Sequence, residues 1–112
     1  MLVIHLPAQA KSVAEVFVGL GWKVDVCTTS DCATRHVAGS EPYKVILLGY
    51  RVAGLPLVRF IRSLDHRMTT GIVTIADSAV MTDEAKAAGV DEVLIDPVTV
   101  SSLICAVNQH IP

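Results

Sequence analysis

The hydrophobic pattern of the chain alternates between short apolar runs and longer stretches with helical spacing. Val45 to Leu48 is a continuous run of branched aliphatic residues. Such a run predicts a strand covered on both faces, as in the middle of a parallel sheet. Pro56 suits the first turn of a following helix, where its missing N–H costs nothing. Apolar residues of that helix recur at the spacing of one face: Leu57, Phe60, Ile61 and Leu64.

The same alternation predicts four further strands and four further helices. The strands are predicted at Leu2 to Leu6, Trp22 to Thr28, Ile72 to Ala76 and Val93 to Ile95. The helices are predicted from Ala8 to Leu20, from Ser30 or Asp31 to Val37, from Thr82 to a stop at Gly89, and from Thr99 or Ser101 onwards. Short connections between alternating strands and helices predict one α/β domain over residues 1–112. We expect a doubly wound parallel sheet in the flavodoxin-like order 2-1-3-4-5.

Composition narrows the class of protein. The 112 residues are 52% hydrophobic and 18% charged, which predicts an ordered core that needs no metal or disulfide. The formal net charge of -2 argues against nucleic-acid binding. The apolar start lacks the basic flank and cleavage site of a signal peptide, and no run of about 18 apolar residues is present. We therefore expect a cytoplasmic protein with no membrane insertion.

The three cysteines give an odd count, with no CxxC motif and no His at metal-ligand spacing. We expect Cys27, Cys32 and Cys105 to be reduced thiols that are buried or half-buried. The alternative is a redox pair between Cys27 and Cys32. That pair would need a cation to stabilise a thiolate, and only Arg35 is close in sequence.

The residues at the predicted switch point argue against catalysis. In an open parallel sheet the reactive edge lies beyond the carboxyl ends of the strands, where the first and third strands are neighbours. These positions are residues 5–7 (His5, Leu6 and Pro7) and Gly49 to Arg51. No nucleophile stands beside a base, and no phosphate-binding glycine motif follows a strand. The sequence thus predicts no catalytic residue, metal ligand or cofactor, and we expect His5 to pack rather than to accept phosphate or bind metal.

Positive charge gathers in and after the central helix: Arg51, Arg59, Arg62, His66 and Arg67. Helical spacing places three of these side chains on one outward face. One interpretation is a solvated helix face. The other is a docking patch for an acidic partner or for a phosphorylated ligand such as a nucleotide, because arginine matches the geometry of carboxylate and phosphate.

The order of these features resembles the receiver domain of bacterial two-component response regulators over essentially the whole chain. YKVILLGYRVAGLPLVRFIRSL is similar to the third strand, loop and third helix of that family. AKAAGVDEVLIDP is similar to its turn, fifth strand and Lys-Pro loop. The resemblance implies the flavodoxin-like fold predicted above and a cis peptide bond between Asp96 and Pro97.

The resemblance also implies where phosphorylation chemistry would lie, and the chain departs from the family there. The acidic pair that holds Mg²⁺ would follow the first strand, where residues 5–7 carry no carboxylate. The phospho-accepting Asp falls at Gly49. The phosphate-pairing Lys falls at Asp96, whose charge would repel a phosphoryl group. The remaining switch positions also differ: the Thr or Ser falls at Ala76, or at Thr74 if counted from the fifth strand, and the aromatic residue falls at Val93.

The resemblance is therefore to a pseudo-receiver, which is not an enzyme and which acts in signal transduction or protein localisation by binding protein. The partner would be the rest of a larger regulatory protein, a separate protein, or a second copy in a homodimer. Two surfaces are candidates: the face formed in receivers by the fourth helix, fifth strand and fifth helix, and extra apolar residues on the first and last helices. The alternative function is a sensor of a nucleotide or other small ligand. The extra apolar residues on the first and last helices are Ala10, Ala14, Val18, Val98, Ala106 and Ile111.

Overall fold

The observed strands and helices lie where the hydrophobic pattern predicts them. Their observed bounds differ from the predicted ones mainly at the ends of each element. The computed structural model describes residues 1–50, 52, 54–78 and 82–111. The strands are β1 (Leu2–Ile4), β2 (Asp25–Cys27), β3 (Val45–Gly49), β4 (Gly71–Ala76) and β5 (Glu92–Ile95). The helices are α1 (Pro7–Gly19), α2 (Ser30–Ala38), α3 (Leu55–Ser63), α4 (Thr82–Ala88) and α5 (Val100–Gln109), and a 3-10 turn (Asp65–Arg67) follows α3.

The five strands form one parallel sheet in the order β2-β1-β3-β4-β5, which confirms the predicted topology. β3 is the central strand, and all of its residues are buried. β1 lies beside it with Ile4 opposite Leu48. Because this register continues to the strand ends, the residues that follow β1 lie against the last residue of β3.

Two apolar layers cover the two faces of the sheet, as the continuous aliphatic strands predict. Alternate residues of each strand point to opposite faces, so Leu48 packs with α2, α3 and α4 while Leu47 packs with α1 and α5. The side chains of α3 that face the first layer are Leu55, Leu57, Val58 and Ile61. Phe60 was predicted to join them, but its side chain is 36% exposed because it lies on the outer side of the helix.

The helix ends follow the expected capping chemistry with one change. The Thr29 hydroxyl, and not Ser30 or Asp31, begins α2 by accepting a hydrogen bond from the Cys32 N–H at 3.2 Å. Thr99, one of the two predicted starting residues, caps α5 in the same way. Gly89 follows α4 with φ +115°, a conformation that side chains disfavour. The peptide bond between Asp96 and Pro97 is cis, as the resemblance implied.

The apolar surface predicted for the first and last helices is smaller than expected. Ala10 and Ala106 are fully buried in the core, so they offer nothing to a partner. Val18, 58% exposed at the end of α1, remains on the surface together with its neighbour Leu20. Within the described ranges, no helix combines the length and hydrophobicity needed to cross a membrane.

Candidate functional site

The switch-point edge is closed by His5, the residue that follows β1. His5 is 5% exposed, and its Nδ1 accepts a hydrogen bond from the Leu6 N–H at 2.8 Å. The imidazole lies directly over Gly49: a Cβ added to Gly49 would stand 2.5 to 2.8 Å from three atoms of the ring. Real Cβ atoms do not approach other atoms so closely. Any side chain at position 49 would therefore require the His5 ring or the backbone to shift.

The described residues that follow β1 and β3 bring no carboxylate close to Gly49. The described residues that follow these two strands are His5, Leu6 and Tyr50, and the first acidic residue of the chain is Glu15. Asp77 after β4 and Asp96 after β5 are exposed acidic residues at the same end of the sheet. Where the resemblance implies a magnesium site, the ends of β1 and β3 therefore contribute an imidazole and a glycine.

The strand positions of Ala76, Thr74 and Val93 bear on where the resemblance implies switch residues. Ala76 is the last residue of β4, whereas Thr74 lies two residues earlier and is 1% exposed. This placement agrees with matching the switch residue to Ala76. The Thr74 hydroxyl finds no hydrogen-bond partner among the described residues, and it lies inside the sheet beside Leu48. Val93 is half-buried on β5 and has no aromatic ring to rotate.

A pocket of about 340 Å³ opens beside His5 between α1 and α5. Its size falls within the range of about 300–1,000 Å³ that is typical of small-molecule sites. Most of its lining is apolar, and its polar groups include the His5 imidazole and the Asp96 carboxylate. The other lining residues are Ala8, Gln9, Ser12, Val13, Val16, Ile75, Val98, Thr99, Val100 and Leu103.

The predicted arginine patch is mostly occupied by contacts within the domain. Arg62 donates to the Gly89 carbonyl at 2.9 Å and to the Thr70 carbonyl at 2.7 Å, and it pairs with Asp91 at 2.9 Å. Its guanidinium thus ties α3 to the segments that precede β4 and β5. The prediction that Arg62 faces outward was wrong, because the helix spacing alone does not reveal these tertiary acceptors.

Arg67 is also a structural residue and not part of a surface patch. It is 1% exposed, and its guanidinium donates to the carbonyls of Val37 and Gly39, both at 3.0 Å. The guanidinium carbon lies 5.0 Å from the centre of the Tyr43 ring. Burial lowers the pKa of Arg67, and burial together with a hydrogen bond to Asp25 raises the pKa of Tyr43. Arg67 therefore serves as a cation at the carboxyl end of α2, where carbonyls lack helical partners.

Arg59 and His66 keep the exposure that the patch requires. Arg59 lies on the outer face of α3, and the His66 ring nitrogen Nε2 contacts the Gly39 carbonyl at 2.9 Å. Arg51, the fifth member of the predicted patch, lies outside the described residues. The surface that remains on α3 consists of the exposed residues Pro56, Arg59, Phe60 and Ser63, which share one face of the helix.

The cysteines depart from the sequence prediction in two ways. Cys27 is buried and Cys32 half-buried as expected, but their sulfurs are joined in a disulfide, which is the alternative considered above. Cys105 is exposed on α5 and not buried. His36 lies one helical turn after Cys32, and its Nδ1 is 3.3 Å from the Cys27 sulfur and 3.6 Å from the Cys32 sulfur. The expectation that no His stands at ligand spacing was wrong, because the Cys-x-x-x-His spacing on a helix is the signal of a shared face.

No protein-family model and no curated protein sequence matches the chain. Solved structures do match it. The receiver domain of a sensor histidine kinase from Pseudomonas aeruginosa is 22% identical with a TM-score of 0.84, and the match covers 98% of this chain and 94% of that one. That structure has a magnesium ion coordinated in its active site cleft.

Two further structures match over similar lengths. The chemotaxis response regulator CheY4 of Vibrio cholerae is 18% identical with a TM-score of 0.88, covering 96% of this chain and 94% of that one. A CheY-like receiver domain protein from Methanospirillum hungatei is 15% identical with a TM-score of 0.87, covering 98% and 90%. At these identities the comparison establishes the fold alone. The chain has the flavodoxin-like fold of response-regulator receiver domains.

Proposed function

We propose that this chain is a pseudo-receiver: a receiver-like domain that is not phosphorylated, catalyses no reaction and acts in signal transduction or protein localisation by binding a protein partner. The observation that carries the proposal is the His5 ring over Gly49. An acyl phosphate requires a carboxylate at position 49, and glycine offers no side chain to esterify. The His5 ring fills the space in which such a side chain would begin.

Charge at the sheet edge supports the same proposal. Magnesium prefers oxygen ligands and is commonly held by carboxylates, and residues 5–7 supply none. Asp96 occupies the position at which the resemblance implies a phosphate-pairing lysine. A carboxylate there repels a phosphoryl group instead of neutralising it.

The outer face of α3 is the proposed docking surface for the partner. It presents Arg59 beside Phe60, and arginine and aromatic side chains are enriched among the residues that dominate binding energy. Phe60 also lines a groove of about 380 Å³ between α2 and α3. An acidic and apolar partner segment would suit this combination of an exposed cation and an exposed ring.

We expect no phosphorylation of the chain by acetyl phosphate and Mg²⁺, as measured by intact mass. The Gly49→Asp variant should also stay unlabelled, because its carboxylate would lack an acidic pair and would overlap the His5 ring. The response regulator from Burkholderia pseudomallei whose structure contains a phosphorylated aspartic acid is a suitable positive control. Stoichiometric labelling of the unmodified chain would contradict the proposal.

We expect Arg59→Glu to weaken partner binding by about tenfold or more, which corresponds to about 1.4 kcal/mol. The measurement compares proteins retained from an extract of the source cells by the immobilised chain and by its variants. Lys11→Glu makes the same charge change on α1, on the opposite face of the sheet, and should retain the same proteins as the unmodified chain. Equal retention by Arg59→Glu would exclude this surface.

The pocket beside His5 favours a second candidate function, a sensor of a small ligand. Its largely apolar lining and the Asp96 carboxylate suit a neutral or cationic aromatic molecule better than a nucleotide, whose phosphates the carboxylate would repel. The pocket includes His5 and Asp96, which follow β1 and β5 at the carboxyl edge of the sheet, and ligands of this fold class bind at that edge.

A thermal-shift screen of such molecules tests the second candidate. A ligand at about 100 times its dissociation constant should stabilise the folded chain by about 2.7 kcal/mol. Val13→Phe should abolish the effect by filling the pocket from α1, whereas Arg59→Glu, on the far side of the sheet, should not change it. If ligands stabilise the Val13→Phe variant equally, they do not bind in this pocket.

A further inference from the structure

Cys27, Cys32 and His36 form a cluster of metal-binding side chains far from the α1 and α5 face of the sheet. The proposed function uses none of them. Cys27 ends the edge strand β2, and the other two residues lie one turn apart on α2. The two sulfurs and a His36 ring nitrogen all lie within 4.8 Å of one another.

The distances from the His36 nitrogen to the two sulfurs match those of a tetrahedral zinc site. With Zn–S bonds of about 2.3 Å and Zn–N bonds of about 2.0–2.1 Å, sulfur and nitrogen ligands stand about 3.6 Å apart. The distances from His36 Nδ1 to the Cys27 and Cys32 sulfurs are 3.3 and 3.6 Å. Two thiolates and an imidazole are also the donors that favour zinc over magnesium or calcium.

The sulfurs are bonded to each other in this structure, so metal binding belongs to the dithiol state. The Cα atoms of Cys27 and Cys32 are 5.6 Å apart. In that state, side-chain rotation can separate the sulfurs to the roughly 3.8 Å that two thiolates on one zinc require. A disulfide retains neither thiolate, and the oxidised chain should therefore bind no zinc at this position.

The ring of His36 lies beside both sulfurs. Its Nδ1 lies 2.9 Å from the Cys32 carbonyl oxygen, to which it donates when it carries the ring proton. Binding through Nδ1 requires the neutral tautomer with the proton on Nε2, so a bond to zinc would replace the hydrogen bond to the Cys32 carbonyl. His36 also lines an open depression of about 560 Å³ together with Asp25, Arg35 and Glu41, so this side of the ring faces a surface depression with charged residues of both signs.

We propose that Cys27 and Cys32, when reduced, bind one Zn²⁺ together with His36, and that a water molecule completes the tetrahedron. Each thiol releases its proton to solvent as its sulfur bonds to the metal, so two protons leave for each zinc ion bound. The site would fasten the short edge strand β2 to α2. It is independent of the receiver-like switch point, and each proposal can fail without the other.

The test is a titration of the tag-free chain with Co²⁺ and then Zn²⁺, after reduction with a phosphine that does not bind the metal. We expect one equivalent of Co²⁺ to give the visible absorption of a tetrahedral ion and a thiolate-to-cobalt charge-transfer band. One equivalent of Zn²⁺ should then remove both signals. A chain oxidised by glutathione disulfide, which forms the Cys27–Cys32 disulfide and two molecules of glutathione, should give neither.

Three variants locate the site. Cys32→Ser and His36→Ala should each weaken zinc binding by more than the roughly 10–100-fold that loss of an outer-shell partner costs. Both positions are half-buried on α2, and circular dichroism checks that the variants fold. Cys105→Ser removes the exposed cysteine of α5 and should bind as the unmodified chain does.

Three results would overturn the proposal. These are an octahedral cobalt spectrum or no spectral change, unchanged affinity in His36→Ala or Cys32→Ser, and loss of binding in Cys105→Ser.

Discussion

The contact between the His5 imidazole and the backbone of Gly49 determines what the switch-point edge of this domain can do. Both residues face the α1 and α5 layer, because each follows by two a residue packed there, Val3 and Leu47. The parallel register of β1 and β3 then brings the ring over the glycine. Only a residue without a side chain permits this approach. The position of the His5 ring after β1 therefore depends on glycine as the last residue of β3.

This feature lies on a scaffold that is otherwise similar to solved receiver domains. The sheet order, the helix layers and the cis bond before Pro97 agree with the receiver fold. At the carboxyl edge, an imidazole stands where a carboxylate would be needed for a metal ion, and a pocket of about 340 Å³ opens beside it. The centre of the edge is therefore filled by the His5 ring.

The sequence predicted the fold well because the fold depends on local patterns. Aliphatic runs identified the strands, and the spacing of apolar residues, with Thr and Gly at the ends, identified the helices. The sequence also shows that the switch point lacks carboxylates after the first and third strands, because residues 5–7 and Gly49 carry none. The packing of His5 over Gly49 was not readable in detail, since it depends on the register of two strands that are distant in sequence.

The errors concern long polar side chains and residues that meet only in the folded chain. Arg62 and Arg67 lie at positions that look exposed, but they reach backbone carbonyls that the turns before β4 and β5 and the end of α2 leave without partners. His36 joins Cys27 and Cys32 because β2 ends beside α2. Such contacts follow from the arrangement of elements, and a pattern along the chain does not contain them.

The most direct measurement of the central contact is a double-mutant cycle on His5 and Gly49, with stability determined by denaturant unfolding. We expect Gly49→Ala to destabilise the unmodified chain by about 1–3 kcal/mol, the usual cost of overpacking. In a His5→Ala background the same substitution should cost far less, giving a coupling of about 0.5–3 kcal/mol. Gly19→Ala, whose Cβ meets no atom within 4 Å, is the control and should not destabilise either background. An equal effect of Gly49→Ala in both backgrounds would contradict the account.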